Sequence, residues 1–138
     1  MPRNETSGMA VVIYGDKILT ISELVFGRVV LSLPKGHQEN DESIIDTAIR
    51  ECFEETNIQL NNGQLICELT QYTYDFTLPD GTLIKKTIYP FLFKTDHPGE
   101  PCPKEKNMIS VDWMNLQEFF QKCTYDSVKA VVTEALTK

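Results

Sequence analysis

Short apolar runs rich in β-branched residues, separated by turn residues, predict three strands in the first quarter of the chain. The first run, GMAVVIY, ends at Gly15-Asp16, a dipeptide that favours a tight turn into the second run. Pro34 and Gly36 end the third run, VVLSL, because proline has no amide hydrogen to give to a β-ladder. The predicted strands cover residues 8–14, 17–24 and 29–33.

Helical spacing replaces this pattern over residues 42–56. Asn40 or Asp41 precedes the helix and is expected to act as its N-cap. Apolar side chains recur at intervals that place them on one stripe, which is expected to face a core. The stripe consists of Ile44, Ile45, Ala48, Ile49, Cys52 and Phe53. The charged residues that lie off it are Arg50, Glu51, Glu54 and Glu55.

The second half of the chain alternates extended segments with a loop and a helical end. Pro79-Asp80-Gly81 is a strong turn signal between two extended candidates, and Pro90 in the second predicts a bulge or an edge position. Strands before, between and after helices predict a mixed α/β fold, one domain of residues 1–138 with helices on the faces of a mixed sheet. The predicted segments are strands 65–78, 82–94 and 109–114, a proline-rich loop 97–107, and helices 116–122 and 127–136.

The net charge of −7 argues against a nucleic-acid-binding protein, which needs a basic surface to replace counterions. A small polyanionic substrate is still compatible with this charge if cations stand between it and the protein. No run of about 18 apolar residues occurs, so no membrane span is predicted. The first residues lack the apolar core of a secretory signal, and a cytoplasmic protein is expected. The cysteines have no metal-type spacing and are expected to be free thiols: Cys52, Cys67, Cys102 and Cys123.

Three glutamates crowd the last turn of the predicted helix: Glu51, Glu54 and Glu55. A helix C-terminus carries partial negative charge and favours lysine or arginine, and like charges at i,i+3 and i,i+4 destabilise a helix. Arg50 can pair with Glu54 or Asp46, but one arginine does not balance the cluster. A solvated acidic face is one interpretation; a hard divalent cation held by carboxylate oxygens is the other.

The spacing of charged residues around this helix resembles the Nudix box, Gly-x5-Glu-x7-Arg-Glu-apolar-x-Glu-Glu-x-Gly-apolar. Gly36, Glu42 and the segment from Arg50 to Ile58 match every fixed position except one. The exception is Asn57, which stands where the family has glycine; asparagine is the non-glycine residue best suited to the αL conformation expected there. The order of predicted elements is also similar to the whole Nudix fold.

The resemblance implies hydrolysis of a nucleoside diphosphate linked to another moiety, with Mg²⁺ or Mn²⁺ as cofactor. It implies that Glu51, Glu54 and Glu55 ligate the metal, and that one of them, with Glu51 as a candidate, acts as general base. The backbone carbonyl of Lys35 is a further implied ligand. The family often adds an acid from the loop before the last strand, where Glu105 is the candidate and Glu100 its competitor. Structural roles in the box are implied for Gly36, Glu42 and Arg50.

The Pro34-Lys35-Gly36-His37 opening of the box resembles the PKGH of diadenosine-polyphosphate and diphosphoinositol-polyphosphate hydrolases. Lys35 is expected to reach a long phosphate chain as a point charge, whereas His37 either binds phosphate or hydrogen-bonds the loop. Tyr72, Tyr74 and Phe76 alternate at period two and share one strand face. Tyr74, or else Tyr72, is expected to stack on adenine. Basic residues that could line a phosphate groove or simply be surface charges are Arg3, Lys85 and Lys86.

These features predict a pyrophosphohydrolase of dinucleoside polyphosphates such as diadenosine tetraphosphate. The enzymatic alternatives are an ADP-ribose or nucleotide-sugar hydrolase and a pyrophosphatase of oxidised nucleoside triphosphates. The alternative from another class is a nucleotide-sensing Nudix domain without catalysis. The expected partner is a small-molecule nucleotide, with no nucleic acid and no membrane, and the protein is expected to be a monomer or homodimer.

Overall fold

The computed structural model describes residues 2–138, which form strands, helices and one short 3₁₀ turn (Asn62–Gln64). The strands are β1 (Arg3–Tyr14), β2 (Lys17–Val25), β3 (Arg28–Ser32), β4 (Lys35–His37), β5 (Leu65–Glu68), β6 (Tyr72–Thr77), β7 (Leu83–Lys94) and β8 (Met108–Asn115). The helices are α1 (Ile44–Thr56), α2 (Leu116–Lys122) and α3 (Asp126–Ala135). The mixed α/β class predicted from the sequence is confirmed.

The eight strands form one mixed sheet, whose main path has the order β3-β2-β1-β7-β5. β1 and β7 are its centre and pair in parallel from Arg3 opposite Ile84 to Ile13 opposite Lys94. All other pairs are antiparallel. Outside the main path, β4 pairs with β1, β6 with β7 and β8 with β2. The long parallel pairing explains why β1 begins at Arg3 rather than at residue 8.

Both faces of β1 are buried, and successive side chains enter different layers of the core. Met9 and Val11 pack on one face with apolar side chains of α2 and α3, such as Phe119. Ala10 and Val12 pack on the other face, in the cluster that contains Ala48 and Cys52 of α1. The predicted sheet between helices is therefore confirmed, and it explains why the GMAVVIY run is continuously apolar rather than alternating.

The start of α1 differs from the prediction. Ser43, not Asn40 or Asp41, is the N-cap, and its Oγ accepts a hydrogen bond from the N–H of Asp46 at 3.2 Å. Asp41 has a φ of 65°, a left-handed conformation, whereas an N-cap residue has extended dihedrals like those of Ser43. Glu42 consequently lies outside the helix, where its side chain bends back to Thr47 and Arg50.

The single strand predicted over residues 65–78 is wrong, since it is divided between β5 and β6. The edge position predicted for Pro90 is wrong, because Pro90 lies inside a central strand. The alternative, a bulge, agrees with the register: Glu68 pairs with Phe91 and Tyr72 with Ile88, so three residues lie opposite two at Pro90. The carbonyl of Pro90 accepts the N–H of Leu69 at 2.9 Å, in the gap between β5 and β6. The N and C=O of a strand residue point to the same side, so the missing amide hydrogen faces that gap.

Residues 97–107 form an irregular loop between β7 and β8, as predicted. Throughout the described chain, helices that combine the length and apolar character needed to cross a membrane are absent.

Candidate active site

Three carboxylates meet where the C-terminal end of α1 approaches the 97–107 loop. Glu51 and Glu55 come from successive turns of α1, and Glu105 comes from the loop. Each offers an oxygen, and the three oxygens lie within 4.8 Å of one another. Glu100, the competing loop acid, is absent from this group; its backbone carbonyl instead accepts the side-chain N–H of Asn57 at 3.1 Å.

Glu55 is the most deeply buried of the three, with 7% of its surface exposed. Its Oε1 accepts the backbone N–H of Lys35 at 3.0 Å. Burial, followed by the negative charge of Glu51, raises the pKa of Glu55 to about 9. Burial also raises the pKa of Glu51, although the hydrogen bond from Arg50 opposes this shift. The two carboxyl groups are thus poorly accommodated as a pair of anions unless a cation joins them.

Gly36 lets the backbone of β4 lie against the Glu51 side chain. A Cβ added at Gly36 would overlap the side-chain carbon atoms and carboxylate of Glu51. Gly8, its ladder partner in β1, also lies close to α1: a Cβ there would be 2.7 Å from the carbonyl oxygen of Ile44. Two paired glycines therefore allow β1, β4 and α1 to approach closely enough to place Glu51 in the carboxylate group.

Arg50 holds several acidic groups around the helix end. Its guanidinium donates to Glu42 at 2.7 Å, Glu51 at 2.8 Å and Glu54 at 3.1 Å, and also to the carbonyl of His37 at 2.8 Å. The hydrogen bond from Arg50 lowers the pKa of Glu42 to about 2. These contacts are what a structural role of Glu42 and Arg50 requires. The carboxylate of Glu54, with 46% of its side chain exposed, faces Arg50 rather than the three-carboxylate group.

The last turn of α1 contains no basic residue, and a cation reaches it from the loop. The ammonium of Lys104 lies 3.7 Å from the ring centroid of Phe53. Phe53 is 36% exposed, so its expected place in the buried stripe is wrong; Glu55 and Thr56 are buried instead. Asn57 adopts the expected αL conformation, with a φ of 68°, and its N–H donates to the carbonyl of Phe53 at 2.9 Å.

A cleft of about 560 Å³ lies beside the carboxylates, and Lys35 connects the two because it lines the cleft while its N–H binds Glu55. One wall is an aromatic ladder on β6, in which Tyr74 lies 6.3 Å from Tyr72 and 6.0 Å from Phe76 between ring centroids. The lining residues are Glu23, Val25, Phe26, Ser32, Lys35, Tyr72, Tyr74, Phe76, Lys86, Tyr125, Ser127 and Val128.

Two buried polar groups of the cleft, the ammonium of Lys86 and the hydroxyl of Ser32, are incompletely satisfied by the protein. Lys86 is only 8% exposed, forms no ion pair with a carboxylate of residues 2–138, and has its ammonium 3.4 Å from His37 Nε2. Burial, followed by the charge of Lys35, lowers the pKa of Lys86. The hydroxyl of Ser32 is buried with no hydrogen-bond partner in the described chain. A buried cation without a carboxylate partner and a buried hydroxyl without a hydrogen-bond partner suit an anionic ligand.

Two predicted phosphate-binding residues lie elsewhere. Arg3 is exposed and donates to Glu5 at 3.1 Å, and Lys85 is exposed on β7. Neither lines the cleft. Lys85 and Lys86 are neighbours on one strand, so their side chains point to opposite faces of the sheet. His37 is exposed at the end of β4, with Nδ1 3.8 Å from Glu5 Oε1.

Several residues of the cleft were missed in the sequence. Glu23 and Phe26 come from the β2–β3 hairpin, Ser32 from β3, and Tyr125 from the start of α3. The only local signal is Gly27, whose φ of 77° marks the hairpin turn next to Phe26. Nothing in their spacing indicates that the hairpin and α3 approach β6.

The metal-free protein is expected to lose stability as the pH rises from about 4.5 towards 9. Glu55 has its folded pKa raised to about 9 from an ordinary value of 4.5, so between these values the folded state binds the proton that the unfolded state releases. Thermal melting in chelator at pH 6 and pH 8.5 measures this effect. Glu55→Gln should show a smaller decrease in melting temperature; an equal decrease in both proteins would contradict the assignment to Glu55.

Comparison with known proteins gives one family and several relatives. The family model described as NUDIX domain matches residues 5–136. A protein named putative mutator protein MutT4, from Mycobacterium tuberculosis, is 34% identical over 99 residues, which are 72% of this chain and 38% of that protein. Escherichia coli phosphatase NudJ is 27% identical over 117 residues, 82% of this chain and 70% of that protein.

A solved structure from Francisella tularensis is also similar. It is a bifunctional NMN adenylyltransferase/ADP ribose pyrophosphatase complexed with AMP and a Mn ion. Its TM-score is 0.75 and its sequence identity 27%, over 99% of this chain and 42% of that one. The chain thus spans less than half of this structure and of the mycobacterial relative, and most of NudJ.

Proposed function

Since the chain belongs to the Nudix family, we propose that it is a divalent-metal-dependent pyrophosphohydrolase acting on dinucleoside polyphosphates such as diadenosine tetraphosphate. The observation that carries this proposal is the group of Glu51, Glu55 and Glu105 beside a cleft with buried Lys86 and an aromatic wall. In this proposal the phosphates would lie near Lys86 and a flat base against the aromatic wall, with the carboxylates next to the cleft.

The donor set fits Mg²⁺ or Mn²⁺. Carboxylate oxygens are the ligands that hard cations prefer, and the crowding of Glu51, Glu55 and Glu105 leaves negative charge that a cation would neutralise. The proposed ligands are these three, with Glu54 and the carbonyl of Lys35 as further donors. When bound, the metal supplies positive charge against the pyrophosphate and acidifies the attacking water.

The protein's own groups orient this chemistry. The N–H of Lys35 holds the Glu55 carboxylate and Arg50 holds that of Glu51, so both donors are fixed before substrate arrives. Glu51 is the proposed general base because partial burial raises its pKa towards the working pH. Glu54 and Glu55 are the alternatives for that role.

Substrate binding is proposed to divide between charge and stacking. Lys35 and Lys86 would contact the phosphate chain as point charges, with the free hydroxyl of Ser32 as a hydrogen-bond donor. Tyr74 is 39% exposed within the aromatic ladder and has a ring available for adenine, and Tyr72 beside it supports its position. A second base would lie outside the β6 ladder, and Phe26 and Tyr125 are the other aromatic residues that line the cleft.

The competing functions are hydrolysis of ADP-ribose or nucleotide sugars, hydrolysis of oxidised nucleoside triphosphates, and nucleotide sensing without catalysis. The ADP-ribose alternative is favoured by the Francisella tularensis relative. The sensing alternative conflicts with the presence of Glu51, Glu54 and Glu55, all of which are retained.

A substrate panel with Mg²⁺ and with Mn²⁺ tests the proposal. Diadenosine tetraphosphate should show a higher kcat/KM than ADP-ribose and an oxidised deoxyguanosine triphosphate. Product analysis in ¹⁸O-labelled water identifies the phosphorus that water attacks. If diadenosine tetraphosphate is hydrolysed no faster than ADP-ribose, the substrate assignment is wrong; binding of nucleotides without turnover of any would indicate a sensor.

Tyr74→Ala is expected to raise KM for diadenosine tetraphosphate by about tenfold or more, because base stacking on an aromatic ring contributes about 1–3 kcal/mol. Tyr74→Phe keeps the ring and should keep KM near the wild-type value. Steady-state kinetics on the two variants measure the difference. Equal KM values for the alanine and phenylalanine variants would show that adenine does not stack on Tyr74.

A further inference from the structure

The loop segment 98–105 is attached to the C-terminal turn of α1 at three successive points. The carbonyl of Glu100 accepts the Asn57 side-chain N–H at 3.1 Å. The N–H of Cys102 donates to the carbonyl of Thr56 at 3.0 Å, and the ammonium of Lys104 covers the ring of Phe53 at 3.7 Å. Alternate residues of the segment thus contact α1 in the reverse of chain order.

Asn57 is the member of this set that departs from the Nudix box. A glycine there would supply the αL conformation but no side chain. Asparagine supplies both, since its φ is 68° and its amide reaches the loop. Asparagine at this position of the box therefore adds a hydrogen bond between the helix end and the loop.

Glu105 directly follows Lys104, the last of the three attached residues. Its carboxylate lies within 4.8 Å of those of Glu51 and Glu55, yet its side chain is exposed and forms no hydrogen bond or ion pair within residues 2–138. The negative charge of the neighbouring Glu51 repels it. Its position is therefore set by the backbone of the segment. The contacts of Asn57, Thr56 and Phe53 hold this backbone against α1, and the N–H of Met108 donates to the carbonyl of Glu105 at 3.0 Å on the other side.

We propose that Asn57 is a positioning residue, whose side-chain amide holds the 98–105 segment so that Glu105 completes the metal site. The proposal rests on the proposed metal-dependent function. The contact of Lys104 with Phe53, a variable position of the box, supports the segment on the far side of Cys102. If the segment is already ordered, less conformational entropy is lost when Glu105 binds a cation. Removal of the Asn57 amide should therefore lower the affinity of the protein for the metal.

Asn57→Gly tests the proposal, because it keeps the αL conformation and removes only the amide. Titration of the protein with Mn²⁺, followed by the electron paramagnetic resonance signal of the free ion, should give a Kd about tenfold above wild type. In a Glu105→Gln background, Asn57→Gly should cause no further change in Kd, because the group that it positions has lost its charge. Phe53→Leu, which removes the ring under Lys104, should show the same dependence on Glu105.

The outcomes separate this inference from the proposed function. If the wild-type protein does not bind Mn²⁺, the proposed metal-dependent function fails. If wild type binds Mn²⁺ and folded Asn57→Gly, checked by its melting temperature, binds equally well, the positioning role is wrong. An equally large effect of Asn57→Gly with and without Glu105 would also overturn it, since the amide would then act on α1 alone. If Asn57→Gly does not fold, Phe53→Leu decides by the same criteria.

Discussion

Glu55→Gln is expected to lower kcat by about a hundredfold or more while the protein remains folded. The loss follows from removing a negative oxygen donor from the centre of the carboxylate group. Folding should survive because Glu55 is buried with a pKa raised to about 9, so its metal-free form at neutral pH is the neutral acid, which glutamine resembles. Glutamine can also keep the hydrogen bond from the N–H of Lys35. The measurements are kcat at saturating substrate and Mg²⁺, and melting temperature in chelator.

Variants of the other acids make this expectation specific. Glu54→Gln should lower kcat in the same direction, and wild-type kcat in both Glu54→Gln and Glu55→Gln would contradict the metal assignment. Glu105→Gln and Glu100→Gln are a matched pair on one loop, since only Glu105 approaches Glu51 and Glu55. Glu105→Gln should lower the affinity of the protein for the metal. Glu100→Gln should resemble wild type, because only the backbone carbonyl of Glu100 makes the contact with Asn57.

Gly36→Ala is expected to abolish most of the activity without unfolding the protein. The added methyl group would overlap Glu51, whose flexible side chain can rotate away and thereby leave the carboxylate group. The loss of kcat should therefore approach that of Glu51→Gln, about a hundredfold or more. Kinetics and chemical denaturation on the same samples test this. Wild-type kcat in Gly36→Ala would show that the position of Glu51 is not required.

Gly8→Ala is the matched control in the partner strand. There the added Cβ would lie 2.7 Å from the carbonyl oxygen of Ile44 and 2.8 Å from the backbone nitrogen of Ala48. Backbone atoms of a packed helix cannot rotate away, so the free energy of unfolding should fall by about 1–3 kcal/mol or more. The two substitutions are thus expected to have different effects: Gly36→Ala lowers activity, whereas Gly8→Ala lowers stability.

The charge distribution of the site is compatible with the proposed polyanionic substrate, although the protein is acidic. The net charge is −7, and the Glu51, Glu55 and Glu105 carboxylates are concentrated at one place. Beside them, Lys86 is buried without a carboxylate partner. A phosphate chain would contact Lys86 and Lys35 in the cleft. A cation bound at the carboxylates would lie between these and the phosphates and would reduce their repulsion.

Positions related by the geometry of one helix could be predicted from the sequence. The spacing of Glu51 and Glu55 places them on neighbouring turns of any α-helix, and the αL conformation at Asn57 follows from its place after the helix end. The apolar, β-branched run GMAVVIY likewise predicted a strand, which forms the core part of β1. These inferences depend only on regular backbone geometry within a short segment, which does not change with the rest of the fold.

The predictions of helix boundary and buried face that were wrong depended on contacts between segments. Phe53 fits the apolar stripe by spacing, but its side chain is partly exposed. The 98–105 segment, rather than a core strand, lies over that side of α1. Ser43 caps the helix because Asp41 takes a left-handed conformation in the preceding loop. The path of a loop cannot be predicted from local sequence, so neither the exposure of Phe53 nor the choice of Ser43 as N-cap could be predicted.

The sequence by itself determined the family, the acidic end of α1 and the left-handed residue after it, because each depends on residue spacing within one element. Only the tertiary structure decided that Glu105 rather than Glu100 joins Glu51 and Glu55, since that choice depends on where an irregular loop crosses the helix. It also decided that Lys86 rather than Lys85 lines the cleft. A shift of one residue in strand register would exchange the two lysines, and register is set by pairing with distant strands.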